Sequence, residues 1–496
     1  MSTPTLLMAD VDDLERKKNE ALENKWGLRH IIGIMGFFAV GIGYIHRFCL
    51  SLAITEMVRS HSKEGKIDVE SCPFVLNTTM VIQHTGEFNW GEETQGLILS
   101  SFFWGYVINQ LPGGLMAERW GVKWVLGFGM FVSSMATLLT PVVSRTLGAW
   151  GLICLRIAIG FGQGPLYPSL NVLMSNWSSA NERGRLGAIV FAGAQIGNFV
   201  SMAISGLIIS SLGWTGVFYI FGGIGIAWLI VWLFVYYNSP LEHPYIKEDE
   251  RTYIITTSGK THYKDLPPTP WIPILTSVPL WGLIIAQVGH DWGLFTIITD
   301  LPKYMKSVLH VSVKENGVIS GVPYLGMWFF AILSGWVVDW MIVKLGWGIS
   351  LVRKMFISIA SIGPAIGIVA ASYSGCDKVL TSVFFIFGMT IMGAFIPSLK
   401  VNALDLSPNY AGTLMAIVGG IGAISGILTP YLVGVLTPNS TLLEWRLVFW
   451  ISVVVLMGTN IIYLIMGTAK TQWWNDPDQV RSYTEGKEKS KEKETA

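Results

Sequence analysis

The sequence predicts an all-α membrane protein of twelve transmembrane helices arranged as two pseudo-symmetric six-helix bundles. Three observations predict it: a composition suited to lipid, twelve apolar runs of spanning length, and an internal repeat. Of 496 residues 51% are hydrophobic and 14% charged, with 54 Gly and 21 Trp and a mean hydropathy of +0.50. Soluble domains carry nearer a quarter of charged residues. With 34 basic against 33 acidic residues, the net charge of +1 gives no surface for nucleic acid or another polyanion.

The chain opens on residues 1–30, MSTPTLLMADVDDLERKKNEALENKWGLRH, too charged for the apolar core of a signal peptide and expected to stay in the cytosol. Apolar runs of about 20 residues follow at 31–57, 95–117, 124–143, 148–171, 186–211 and 215–237. A polar segment, 238–277, rich in Pro and charge, separates them from a second six at 278–301, 316–341, 355–373, 379–402, 411–436 and 444–467. The domains expected are therefore a tail (1–30), a bundle (31–237), a cytosolic linker (238–277), a second bundle (278–467) and a charged, disordered cytosolic tail (468–496). Alternate connections hold 22 Lys and Arg on the side of both tails and 8 on the other, which places the tails inside. The Asn77-Thr78-Thr79 sequon falls in the long external loop, as a glycan requires. The four cysteines show no metal-type spacing. Cys72 and Cys376 both face outside, where they either pair or stay free.

Laid over the first half at an offset near 228, the second half repeats three segments in order. NERGRLGAIV from Asn181 matches NYAGTLMAIV from Asn409, GPLYPSLNV from Gly164 matches GAFIPSLKV from Gly393, and GLMAER from Gly114 matches GWVVDW from Gly335. Tandem halves of this kind place a substrate site between them near the bilayer midplane.

The run GGLMAERWGVK, Gly113 to Lys123, resembles the signature loop of the major facilitator superfamily. FNWGEETQGLILSSFFWGYVINQLPGG, SPLEHPYIKEDERTYI and VNALDLSPNYAG resemble one branch of it, the anion symporter family that holds sialin, the vesicular glutamate transporters and the type I sodium/phosphate cotransporters. AQVGHDWGLFTIITDLPKYM is most similar to insect members labelled as inorganic phosphate cotransporters. The resemblance runs from Tyr44 to Trp474. It implies the major facilitator fold and a cytosolic latch at Gly114, Glu118, Arg119 and Lys123, with Asp339 at the repeated place. It also implies secondary transport of a small anion, inorganic phosphate or an organic anion, coupled to sodium or protons. Alternatives are a proton-coupled organic-acid exporter like sialin, and an anion channel. The setting expected is a multi-pass chain, monomeric, in the plasma membrane or a lysosomal or vesicular membrane. No cofactor, metal or catalytic constellation is expected, so the chain reads as no enzyme.

Ionisable groups at membrane depth need a partner or a purpose. Outside the connections stand four cations, Arg47, Arg156, Lys400 and Arg446, the last beside Glu444 as an interface anchor. Tyr44, Arg47 and Ser51 share one helical face and would offer a guanidinium and two hydroxyls to an anion; in the resembled family the arginine at this place is implicated in substrate binding. The bland reading is a salt bridge or carbonyl contact between helices, and His46 reads as a packed neutral imidazole. Arg156, Gly160, Gln163 and Tyr167 form a second stripe. Arg156 either binds substrate or pairs with a carbonyl or acid. Gln163 stands where the family carries a glutamate tied to proton coupling, and an amide cannot titrate. His290 and Asp291 are the remaining candidates for coupling: a proton on the pair, sodium at Asp291, or a pair that only satisfies itself. Lys400 adds a cation to the second half. Asp300 and Lys303, near a span end, read as interfacial.

Overall fold

The computed structural model describes residues 26–59, 86–178, 182–257 and 269–483, and the side chains of Glu118, Arg183 and Arg185 are not among those described. The first half contains α1 (Leu28–Met57), α2 (Glu92–Trp120), α3 (Val122–Gln163), α4 (Leu166–Trp177), α5 (Arg183–Leu212) and α6 (Trp214–Val235). Two short linker helices follow, α7 (Glu248–Thr257) and α8 (Trp271–Leu275). The second half contains α9 (Val278–Ser307), α10 (Val313–Val343), α11 (Ile349–Tyr373) and α12 (Lys378–Met392), a π-helical turn (Ile396–Lys400), then α13 (Val401–Leu406), α14 (Ala411–Gly422), α15 (Ser425–Leu436) and α16 (Leu442–Met466). No strand occurs among the described residues, because in lipid a helix satisfies its own backbone polar groups.

Nine described stretches are long and apolar enough to cross a membrane. One, Val122–Trp177, is two crossings, because Gly148 at φ 63° and ψ −148° takes α3 out of helical geometry between the expected third and fourth spans. The helices α2 and α9, of 29 and 30 residues, supply the other two. They are less apolar because they carry polar groups used below. The count of twelve agrees with the sequence, and each end falls within a few residues of its expected place. The face on which α1 begins and α16 ends is called the tail side, its opposite the far side.

The sequence repeat is a repeat of contacts. A Cβ added to Gly114 on α2 would sit 3.0 Å from Pro168 of α4, and one added to Gly335 on α10 would sit 4.0 Å from Pro397 in the π-helical turn. Gly164 lies against Asn109 of α2 just as Gly393 lies against Met327 and Ala331 of α10. Close helix approach through small residues is how membrane helices associate. Proline breaks these helices and leaves carbonyls to be satisfied. Pro165 frees the carbonyl of Phe161, which accepts a 2.7 Å hydrogen bond from Asn109.

The halves meet tightly on the far side. Gly206 of α5 and Gly317 of α10 cross so closely that a Cβ on Gly317 would come within 2.7 Å of the Met202 carbonyl. Gly96 and Gly434 bring α2 onto α15, and Phe103 packs on Phe295 with centroids 4.6 Å apart. Two ion pairs join the halves there, Lys303 with Glu92 at 2.5 Å and Lys306 with Glu56 at 2.9 Å. On the tail side Arg29 is buried between Glu182 at 2.9 Å and Glu250 at 3.1 Å, docking α7 onto the first half. Within the second half Arg353 pairs with Asp405 at 2.8 Å.

The Gly317 crossing generates a prediction. Gly317→Leu would overpack the far-side contact by roughly 1–3 kcal/mol, which converts to about fivefold or more toward the state in which the far side is parted. A cysteine at buried Ala203 should then react several-fold faster with an impermeant maleimide from the far side. Unchanged labelling would contradict this packing.

Candidate functional site

The first wall of the site is the middle of α1. Arg47 is 3% exposed, yet among the described residues it forms no ion pair with a carboxylate. Its guanidinium carbon lies 4.6 Å from the ring centroids of Phe102 and Tyr106, 4.8 Å from Tyr44 and 5.8 Å from Phe48. Ring faces stabilise a cation without consuming its donors. One Arg47 Nη2 donates a long 3.4 Å bond to Gln163 Oε1, and Nε has no hydrogen-bond partner in the protein. A glutamate in place of Gln163 would neutralise this arginine; the amide leaves the positive charge for a ligand. The hydroxyls of Tyr44 and Tyr167 bond one another at 2.8 Å beside it. The structure therefore brings Tyr44, Arg47, Gln163 and Tyr167 together, and the buried Ser51 hydroxyl, on the same helix, also lacks a protein partner.

Arg156 takes the structural alternative. Its Nη2 donates to the carbonyl of Arg47 at 2.9 Å and its Nη1 to that of His46 at 3.4 Å, with the guanidinium carbon 5.2 Å from the Phe102 ring. It clamps the backbone of α1 under Arg47, with its own Nε left without a partner among the described residues. His46 is packed as expected, its Nε2 3.0 Å from the Phe221 carbonyl.

The opposite wall comes from α9 and the broken α12. Lys400 ends the π-helical turn, a wider coil that is frequent at functional positions. Its Nζ donates to Gln287 Oε1 at 3.2 Å and lies 5.6 Å from the Phe395 ring. Asp291 hydrogen-bonds Gln287, feels the Lys400 charge and lies tight against Gly422. His290 and Asp291 form no hydrogen bond or ion pair with one another among the described residues. His290 stacks on Phe395 with centroids 3.3 Å apart, because consecutive residues of a helix point about 100° away from each other. On this wall Asp291 and Lys400 lie within electrostatic reach of one another, with Gln287 bonded to both. Asp300 and Lys303 likewise depart from the interfacial expectation: they are 0% and 4% exposed. Arg446 does anchor a helix end, donating to the Ser372 carbonyl at 3.2 Å.

Tyr106 links the walls, since it lies within electrostatic reach of both Arg47 and Asp291. The sequence reading missed Tyr106 and Gln287. Both were signalled by spacing: Phe102 and Tyr106 share a face of α2, as Gln287 and Asp291 share one of α9. Among the described residues the charges about this region are Arg47, Arg156, Lys400 and Asp291, and cations are in excess.

On the tail side, Gly121 at φ 86° turns the signature loop, and Asn238 accepts a 2.9 Å bond from the Lys123 N–H. The Lys123 ammonium lies 4.0 Å from the Tyr237 ring centroid. A cleft of about 490 Å³ opens beside Arg119, Gly121, Asn176 and Asn238, away from the Arg47 site. Arg119 and Asp339 are exposed and form no ion pair among the described residues, while ion pairs join the halves on the far side. The Glu118 side chain and Asn77 lie outside the described residues. Cys376 is disulfide-bonded, Cys49 and Cys154 are free, and Cys72 is outside the described residues.

Comparison with known proteins adds four findings. A family profile described as Major Facilitator Superfamily matches residues 36–430. A Drosophila melanogaster protein named "Putative inorganic phosphate cotransporter" is 36% identical over 477 residues, 94% of this chain and 90% of that one. Human sialin is 37% identical over 450 residues, 90% of each chain. Among solved structures, a bacterial homologue of the lysosomal transporter Spinster, inward-facing and unoccupied, superposes with a TM-score of 0.67 at 13% identity, covering 89% of this chain and 98% of that one.

The different partners of the two arginines generate a prediction. Each charged hydrogen bond of Arg156 to a buried carbonyl contributes about 1.5–3 kcal/mol, so Arg156→Met should lower the detergent melting temperature by several degrees. Arg47→Gln should change it much less. Equal losses in thermal unfolding of the purified proteins would contradict the division.

Proposed function

This chain belongs to the Major Facilitator Superfamily, and within it to the anion symporter family that holds sialin, and from that membership we propose that it carries a small monovalent anion across a membrane by alternating access. Inorganic phosphate as its monoanion and small organic acids fit this class. The observation that carries the reading is the pair of cations from opposite halves, Arg47 and Lys400, with only Asp291 set against them.

Arg47 is the anchor: its guanidinium offers parallel donors to carboxylate or phosphate oxygens. The Tyr44, Tyr106 and Tyr167 hydroxyls complete the cage, and Lys400 closes it from the other half. Arg156 and Gln163 support Arg47, one by fixing the α1 backbone and the other by leaving its charge unspent. The far-closed arrangement is the state that exchanges ligand with the tail side, which the charge count assigns to the cytosol. Engagement of Arg119 and Lys123 with Asp339 closes the tail side in the opposite state. The driving ion is sodium or the proton, and Asp291, within electrostatic reach of Lys400, is the acid of the central site.

Reconstituted vesicles test the reading. Arg47→Ala should reduce counterflow of the labelled anion roughly tenfold to a hundredfold, Lys400→Gln should raise the half-saturating concentration, and His290→Gln should leave both near wild type. Undiminished counterflow in Arg47→Ala would remove Arg47 from the site. Steady anion current without counterflow would identify a channel. Epitopes at the C-terminus should be reached only after permeabilisation.

A further inference from the structure

The far-side ion pairs include a charge imbalance that the anion site does not use. Asp300 is fully buried on α9, with Oδ2 accepting the Thr299 hydroxyl at 2.7 Å and Oδ1 without a partner among the described residues. One turn on, Lys303 is 4% exposed and reaches across the interface to Glu92 of α2 at 2.5 Å. Among the described residues the charges that act on Asp300 are Lys303 and Glu92. Lys306, the next cation on α9, is held by Glu56 and the Thr55 carbonyl of α1. Lys303 is thus committed to the partly exposed Glu92, and the fully buried Asp300, within its electrostatic reach but outside that ion pair, is left with a negative charge that requires neutralisation.

We propose that Asp300 binds a proton taken from the far side when the halves close there, making it the site through which far-side pH enters the transport cycle. A proton suits the place better than a metal cation, because Lys303 already presents an ammonium and would repel one. When the far side opens, Glu92 moves away with the first half. Lys303 then has Asp300 as its nearest carboxylate, three residues back on the same helix, and Asp300 gives up its proton to the far side. Rejoining Lys303 to Glu92 requires Asp300 to be protonated again. The exchange is one O–H bond made on closing and one broken on opening, with no other reactant.

The inference rests on the transport reading, and vesicles with independently set internal and external pH separate the two. The probe is labelled phosphate, and labelled sialate if phosphate is not carried. With membrane potential clamped and tail-side pH fixed, wild-type entry from the far side should accelerate as far-side pH falls. Asp300→Asn, which mimics the protonated acid, should flatten that profile while still exchanging the probe. Lys303→Gln removes the ammonium that favours the carboxylate, so its half-maximal pH should move upward by one unit or more, and this arm decides if Asp300→Asn does not fold. A wild type indifferent to far-side pH, an Asp300→Asn profile like wild type, or an unmoved midpoint in Lys303→Gln would overturn the proposal. A sodium requirement removed by Asp300→Asn would overturn it in favour of a metal cation. Absence of counterflow for both probes in the wild type would defeat the transport reading instead.

Discussion

A charge inside the bilayer must be answered by the protein, and the answers organise this molecule. Insertion scales put the cost of one such residue at about 2.5–3.5 kcal/mol, so each buried cation reveals its role by what it meets. Arg353 meets Asp405 and the Pro397 carbonyl and is structural. Arg156 meets two carbonyls of α1. Lys303 and Lys306 meet carboxylates of the other half. Arg47 meets ring faces and one long amide contact, which stabilise it while leaving its Nε without a partner among the described residues. Among these groups Arg47 is the one arranged to await an anion.

The same constraint accounts for the broken helices. Polar groups at membrane depth need places where the chain departs from a plain helix, and the two halves break at equivalent points, Gly164 with Pro165 and Gly393 to Lys400. The first break delivers Tyr167 to Arg47, and the second delivers Lys400 to Asp291. Glycines let α2 and α10 lie against these breaks, so the site and the repeat come from one packing scheme. Alternating access follows if each half moves as a unit, with far-side ion pairs and the tail-side signature loop engaging in turn.

Much of this was legible in the chain. Hydropathy gave the twelve crossings, and helical spacing put Tyr44 with Arg47 and Gln163 with Tyr167. What the sequence hid was partner identity. A carbonyl acceptor has no residue code, so the clamp of Arg156 on α1 could not be read. Adjacent letters suggested a His290 and Asp291 pair that helical geometry separates. Proximity to a span end made Asp300 and Lys303 look interfacial, because Glu92, the partner of Lys303, lies some two hundred positions away on another helix. Tyr106 was passed over because an aromatic in a span reads as packing until a cation is seen against it.

The central claim is that the halves rock about the Arg47 site, closing the tail side as the far side parts. Electron spin distance measurements between labels on the tail-side ends of α2 and α10, at exposed Leu115 and Val343, test it most directly in lipid. The account predicts two distance populations, the shorter one growing when phosphate or another transported anion is added and when far-side labels on α5 and α10 move apart. A single distance, unchanged by every anion tried, would contradict it.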